Sequence, residues 1–377
     1  MKKQVLISGA SIAGLTLAYW LNRYGYKVTL IEITKGLRRG GSPIDVRGDA
    51  LNVAEKMGIL GKIKAKEFIH TDEIVNAKNE TLVNFAINAQ AEYHGDIEIH
   101  RDDLVDILFE NIPANEVEFL FESRIEKLIQ HEDKVEVTLK GAGSRNFDFV
   151  FGADGTHSTV RKLVFGDEEN YSKFFGAYFA FVEAPNIKPN KPNSGVLYQE
   201  PGKMAALYPF KKTVNALLVF RSPKLDWDYR NDEQHKQILK SNFKNNSWKI
   251  PEILDTMLHS DNLYFDEVCQ IHMPTWSKGR VALVGDAAHT TSFPTGMGTS
   301  LAMQGASILA QELQASNGDY KSAFSKYYES YKPFVESIQA RIARGLNFSV
   351  PETEEGIQEA IKRFKQEAID EPTQEIQ

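Results

Sequence analysis

Apolar positions along the chain follow distinct rhythms. Unbroken apolar runs that end at glycine occur at 4–8 (Gln4-Val5-Leu6-Ile7-Ser8), 147–151 and 280–284, the mark of strands buried on both faces. From Ala13 to Tyr24 the spacing is helical, with Leu17, Ala18 and Leu21 on one side and Gly25 as the stop. Residues 27–32 then read as a second strand, and strand, helix, strand within about 30 residues is a βαβ unit with a right-handed crossover. A Gly- and Arg-rich loop fills 33–48, and a polar helix is predicted at 49–57. Another helix opens at His100-Arg101-Asp102-Asp103, with Leu104, Ile107 and Leu108 on one face. Alternation near 117–121 and 135–139 predicts strands.

Between 170 and 272 the texture changes. Aromatic, strand-like runs at 174–182, 204–209 and 214–220 are separated by Pro- and Gly-containing turns, which predicts an antiparallel sheet forming its own lobe. The remainder reads as helical from about Thr299, with a break near Pro351. The last helix carries Ile357, Ile361, Phe364 and Ala368 as one apolar stripe.

With 377 residues the chain is long enough for two domains, and 44 basic against 51 acidic side chains give a net charge of −7, which speaks against a nucleic-acid-binding face. The single cysteine, Cys269, excludes an internal disulfide framework and a CxxC metal site, so no metal is expected, and its use fits a cytoplasmic protein. Lys2 and Lys3 before the apolar stretch 5–21 imitate a signal peptide. That stretch holds Gly9 and Gly14 and ends in Asn22-Arg23-Tyr24-Gly25 without a cleavage site, so it is read as structure. No apolar run reaches the ~20 residues that span a bilayer.

Gly9-Ala10-Ser11-Ile12-Ala13-Gly14 is a GxGxxG variant with serine at the second glycine. In this motif the first glycine turns the chain from strand to helix, the second admits a pyrophosphate, and the third lets helix and strand approach. Glu32 closes the next strand, where a carboxylate suits a free ribose hydroxyl, favouring FAD or NAD over NADP. Gly152-Ala153-Asp154-Gly155 and Gly285-Asp286-Ala287-Ala288-His289 repeat the combination of strand end and carboxylate. Pro294-Thr295-Gly296-Met297-Gly298 then leads into a helix whose N-terminus suits developing negative charge.

These four segments in this order, with Arg101-Asp102-Asp103-Leu104, resemble the class A FAD-dependent monooxygenases, the para-hydroxybenzoate hydroxylase-like family. The run 39–48 and the passages 264–266 and 276–280 are similar to the tetracycline-inactivating branch. The resemblance implies an α/β fold: a Rossmann-like FAD-binding domain (1–69, 94–168 and 274–318), a β-sheet substrate domain (70–93 and 169–273), and C-terminal helices over 319–377 that bridge the lobes and, at 352–369, gate the site. It implies hydroxylation of an aromatic or polycyclic enol substrate using NAD(P)H and dioxygen, with tetracycline inactivation as one such activity. Gly9, Ser11, Ala13, Gly14 and Glu32 would hold the ADP half of FAD, and Arg101 would contact the cofactor. The loop arginines Arg39 and Arg47 belong to the run near the flavin, Arg47 either approaching the flavin or solvating the loop. Asp154 would serve both FAD and nicotinamide use, Asp286 the ribityl chain, and Pro294, Gly296, Met297 and Gly298 the isoalloxazine ring. Met297 stands where many relatives carry glutamine.

Other residues have two readings each. His289 is a catalytic base or a structural loop histidine, with the structural reading favoured. Arg221, with Arg47 a further catalytic candidate beside His289, either points into the substrate lobe or, the favoured reading, lies at a surface strand end. The aromatics Phe174, Phe175, Tyr178, Phe179 and Phe181 pack the sheet in preference to stacking on a ligand. A monomer or weak dimer acting on a small molecule, with no nucleic-acid or membrane partner, completes the expectation. Rival readings are a reductase of the same fold and a ligand-sequestering flavoprotein. A halogenase is disfavoured because the tryptophans at 20, 227, 248 and 276 never fall two apart.

Overall fold

The computed structural model describes residues 2–68, 71–86, 95–189, 191, 194–210 and 213–370. Its first sheet has six strands in the order Ser277–Lys278, Val281–Leu283, Phe149–Gly152, Gln4–Ser8, Lys27–Ile31 and Val117–Leu120. All neighbours are parallel except the short edge pair. Gln4–Ser8 and Phe149–Gly152 are buried almost throughout, as unbroken apolar runs covered on both faces must be. The helices Ile12–Arg23 and Gly298–Ala315 pack on each other beside this sheet, and Tyr320–Gln339 packs on the latter.

The second large sheet has seven strands, in the order Tyr264–Ile271, Ser172–Glu183, Thr213–Arg221, Lys203–Phe210, Ser194–Glu200, Thr71–Val75 and Thr81–Ala86. It is antiparallel apart from the pair of Ser194–Glu200 with Thr71–Val75. Period-two alternation sends its side chains to two different cores. Along Thr213–Arg221, Ala216, Leu218 and Phe220 join an outer core with Leu239, Phe243, Ile253 and Met257, whereas Leu217 and Val219 join an inner one with Ile342, Leu346 and Val350. A three-stranded sheet (Gly143–Phe147, Val135–Leu139, Ile125–Gln130) and the pair Pro43–Val46 with Ile97–His100 complete the strands.

The lobe at 170–272 is not sheet and turns alone. Asp232–Phe243, capped by the Asn231 side chain, and Ile250–His259 are helices that cover the outer face. Their amphipathic spacing (Leu239 with Phe243; Ile253, Leu254 with Met257) is the signal that the aromatic strand runs on either side obscure. The helical stretch near 320–347 is two helices, Tyr320–Gln339 and Ile342–Ser349, and the chain breaks again before Glu354–Asp370. In that last helix Ile357, Ile361 and Phe364 bury against Ile74 and Val83, while the Ala368 side chain lies outside the described residues, as does the stretch 87–94 that holds one expected domain boundary. No helix of the described residues is long and apolar enough to cross a membrane.

Candidate active site

The first strand ends at Ser8, and the chain turns at Gly9 into the helix beginning at Ile12. Gly9 has φ +108°, and a Cβ there would meet the Ala153 carbonyl; a Cβ on Gly14 would run into the Gly9 carbonyl oxygen. Both positions therefore exclude any larger residue, which is the close packing the motif exists to provide. Ala13 packs against Gly285, bringing this turn to the strand end that carries Asp286. The Glu32 carboxylate accepts from the Ala10 backbone N–H at 2.8 Å and from Thr34, so it braces the turn that it closes.

Serine at the second glycine position has a specific use. Ser11 precedes the helix but its side chain makes no cap bond; its Oγ instead accepts from Arg101 Nη2 at 2.9 Å. Arg101 is 8% exposed and also donates to the Arg38 carbonyl at 3.1 Å. Burial, with the nearby Arg38 charge, pulls its pKa down to about 10, so it stays cationic at neutral pH. Gly41 lies against the stem of Arg101 and could not carry a Cβ without displacing it. A buried cation at the mouth of a helix N-terminus is a donor set for a pyrophosphate.

Arg39 does not join this group. It pairs with Asp106 at 2.8 Å and is more than half exposed, which turns it outward. Arg47 does reach the glycine loop: its backbone N–H donates to Ser300 Oγ at 2.9 Å, its guanidinium pairs with Asp45 at 2.8 Å, and it lies against Gly296.

Asp154 accepts from Ser158 Oγ at 2.5 Å and from the Val160 N–H at 3.1 Å, which fixes the start of the helix Thr159–Phe165. Asp286 is the opposite case. Its side chain is exposed and accepts no hydrogen bond among the described residues, yet desolvation, against the pull of Arg38, raises its pKa to about 6. A carboxylate that solvent reaches but that still carries a desolvation shift lies inside a hollow, not on the outer surface. Below it, the loop 293–298 enters the 18-residue helix Gly298–Ala315, where Met297 is buried at the cap and a Cβ on Gly298 would meet open space.

These observations test the fit of a dinucleotide flavin. A backbone turn with no room for side chains, a buried cation, an unpartnered carboxylate and an open helix N-terminus are joined by direct contacts, Arg101 on Ser11 and Ala13 on Gly285. They match, in order, a pyrophosphate, a polyol chain and a ring that carries negative charge on reduction. The residues present fit FAD.

His289 faces the other way. It is buried with Trp276 (ring centroids 4.8 Å) and Tyr331, and its Nε2 has no partner among the described residues. Burial pulls its pKa down to about 4, so it is a neutral packing residue beneath the loop. Arg221 holds the C-terminal segment, donating to the Val350 carbonyl at 3.1 Å and to Asn347 at 2.7 Å. The aromatic set divides by strand parity: Phe174 and Tyr178 pack the outer core, while Phe175, Phe179 and Phe181 lie half-buried on the inner face with Tyr208 and Phe293. Tyr208 and Phe293 were not singled out from sequence, because a lone aromatic in a strand or loop carries no pattern.

Comparison with known proteins agrees with this geometry. The model of the family described as FAD binding domain matches residues 2–341. An uncharacterized protein of Mycobacterium tuberculosis is 39% identical over 360 residues, covering 93% of this chain and 95% of that protein. A flavin-dependent monooxygenase from an unknown prokaryotic organism is 37% identical over 349 residues, covering 90% and 88% respectively. The crystal structure of tetracycline destructase Tet(51) matches with a TM-score of 0.86 and 33% identity, over 99% of this chain and 100% of that one. The chain belongs to the FAD binding domain family. Its activity is that of an FAD-dependent monooxygenase.

Proposed function

We propose that this monooxygenase takes its electrons from NAD(P)H and hydroxylates a planar aromatic or polycyclic enol, with tetracyclines as the substrate class to test first. The carrying observation is the inner face of the seven-stranded sheet. Phe175, Phe179, Phe181 and Tyr208 are half-buried there, and the Phe179 and Phe293 rings lie 4.9 Å apart, so the apolar wall meets the glycine loop. Such a wall binds a flat, largely apolar molecule and excludes water from the place of reaction.

FAD, when bound, supplies the two-electron chemistry that activates dioxygen for transfer of one oxygen atom to the substrate. The chain's own residues position and enclose. Arg101, Ser11 and Glu32 would hold the ADP half, and Asp286 would accept from hydroxyl groups of the polyol chain. The N–H groups opening Gly298–Ala315 favour negative charge by about 0.3–2 kcal/mol, which tunes the ring and does not drive the reaction. Arg47, seated on Gly296, would fix the glycine loop that receives the ring. Asp154, through Ser158, keeps the turn at 154–160 in shape. No acid–base pair is required of the protein.

In the same reading, residues 1–69, 94–168 and 274–318 form the cofactor lobe, 70–93 and 169–273 the substrate lobe, and Tyr320–Gln339 the bridge between them. Glu354–Asp370 gates the cleft from its seat on Ile74 and Val83. The enzyme works on a small molecule in the cytoplasm, as a monomer or weak dimer; its one thiol, Cys269, is buried. The test is incubation with NADPH and a panel of tetracyclines, read by mass spectrometry together with oxygen uptake. A product heavier by one oxygen atom, with matching NADPH consumption, supports the assignment. Unchanged tetracyclines with idle NADPH overturn the substrate class, and NADPH consumption without oxygen uptake marks a reductase.

A further inference from the structure

The seven-stranded sheet contributes a polar chain that the chemistry above does not use. Tyr264 opens its edge strand, and the Tyr264 hydroxyl donates to Asp266 Oδ2 at 2.8 Å. Asp266 is 4% exposed; its Oδ1 accepts from the Glu267 N–H at 2.8 Å and lies 3.3 Å from His157 Nε2. His157 Nδ1 is in turn 2.9 Å from Glu168 Oε1. An imidazole with a carboxylate at each nitrogen needs a proton on both, so His157 is an imidazolium. The Asp266 carboxylate faces that cation and accepts from the Tyr264 hydroxyl. The tyrosine proton is therefore drawn inward, which leaves the lone pairs of its oxygen for a donor outside the chain.

Tyr264 is placed to meet one. The Arg38 guanidinium lies over its ring at 5.7 Å, and the Arg38 carbonyl is bound by Arg101, which also donates to Ser11 in the phosphate turn. On its other side the ring is 5.7 Å from that of Phe179, which meets Phe293 of the glycine loop. Tyr264 thus touches both Arg38, which leads to the glycine turn, and Phe179, which leads to the loop at 293–298. Its side chain is 40% exposed, yet desolvation and Asp266 push its pKa well above the usual tyrosine value, the combination that marks Asp286 as facing the hollow.

We propose that Tyr264 is a further FAD contact, supplied by the substrate lobe and accepting a hydrogen bond from a hydroxyl or N–H of the bound cofactor, with Asp266 and His157 as its positioning residues. The lobe that selects the substrate then also grips the cofactor. This rests on the flavin reading of the groove and is independent of which substrate is oxidised.

The experiment measures FAD release from the holoenzyme and FAD rebinding by quenching of flavin fluorescence, alongside the visible absorption spectrum and the melting temperature of FAD-free protein. Tyr264→Phe is expected to weaken FAD binding about tenfold, the scale of one lost hydrogen bond, and to shift the flavin absorption band while FAD-free melting is unchanged. Asp266→Asn should give a similar loss, and the double variant should be no worse than either single one, because both remove the same contact. FAD affinity within twofold of the parent for Tyr264→Phe, or losses that multiply in the double variant, would overturn the assignment. Normal FAD affinity with impaired substrate oxidation would overturn it too, moving Tyr264 to the substrate. Failed tetracycline oxidation with the FAD results intact would sink the substrate class alone.

Discussion

The glycine turn and the inner face of the large sheet, proposed to serve cofactor and substrate, are built from different materials. In the turn, recognition rests on backbone: Gly9 and Gly14 have no room for a Cβ, and the charged groups around them, Glu32 and Arg101, have defined partners. On the sheet face, recognition rests on common aromatic side chains that differ from core residues only in which way the strand points them. A site of the first kind tolerates almost no substitution and serves one ligand. A site of the second kind can be re-shaped residue by residue, which suits a lobe that sets substrate choice.

The contrast breaks first at the turn. Gly14→Val should cost about 3 kcal/mol or more of stability and abolish FAD binding, because the new side chain strikes the Gly9 carbonyl and backbone cannot move aside cheaply. Thermal melting and the loss of yellow colour on purification report it.

Next in size is the junction between the lobes. His157→Leu should destabilise by about 3 kcal/mol, since the buried Asp266 would face a neutral group and Glu168 would keep only Arg161. Desolvation lowers the His157 pKa, but its bonds to Asp266 and Glu168 outweigh that and push it up from 6.5 to about 10. A folded-state pKa above the unfolded one gives stability that is complete below about pH 6.5 and lost as pH rises through about 10. Melting of the parent should therefore fall from pH 7 to 10 more steeply than that of His157→Leu; parallel curves would remove the histidine from the junction.

Asp286→Asn separates stability from function within the cofactor groove. Its carboxyl is raised to about 6, so the charged form costs the FAD-free protein stability above that pH. The amide should raise FAD-free melting at pH 8 while weakening FAD binding about tenfold, the scale of a charge-assisted bond. The sheet face should respond in the reverse sense. Phe179→Ala should raise KM several-fold with FAD affinity unchanged, on the scale of one aromatic contact of about 0.5–1.5 kcal/mol. The smallest expected effect is that of ending the chain after Ser349: a changed substrate affinity with FAD still bound. Insoluble protein would instead make Glu354–Asp370 a structural cover for Ile74 and Val83.

Much of the glycine turn and the strand ends proposed to hold FAD was legible because dinucleotide binding demands particular residues at fixed spacing. The glycines, Glu32, Arg101 and Asp286 stand at strand ends and helix starts, and a strand end is visible in a local apolar run. Arg39 shows the limit. Two adjacent arginines in a glycine-rich loop look alike in sequence, but Arg38 turns to Tyr264 while Arg39 turns out to Asp106. The helices Asp232–Phe243 and Ile250–His259 are hard to read from sequence because aromatic strands on either side dominate the local composition.

Sequence alone determined the βαβ unit, the four linked motifs and hence the flavin family, since each is a short stretch whose steric and electrostatic needs are met by its own neighbours. Only the tertiary structure decided which aromatics face the cleft, that Ser11 receives Arg101 from 90 residues away, and that His157, Asp266 and Tyr264 form one chain. Those outcomes depend on strand parity and on contacts between distant segments. A one-residue shift in pairing would reverse them without altering any local pattern.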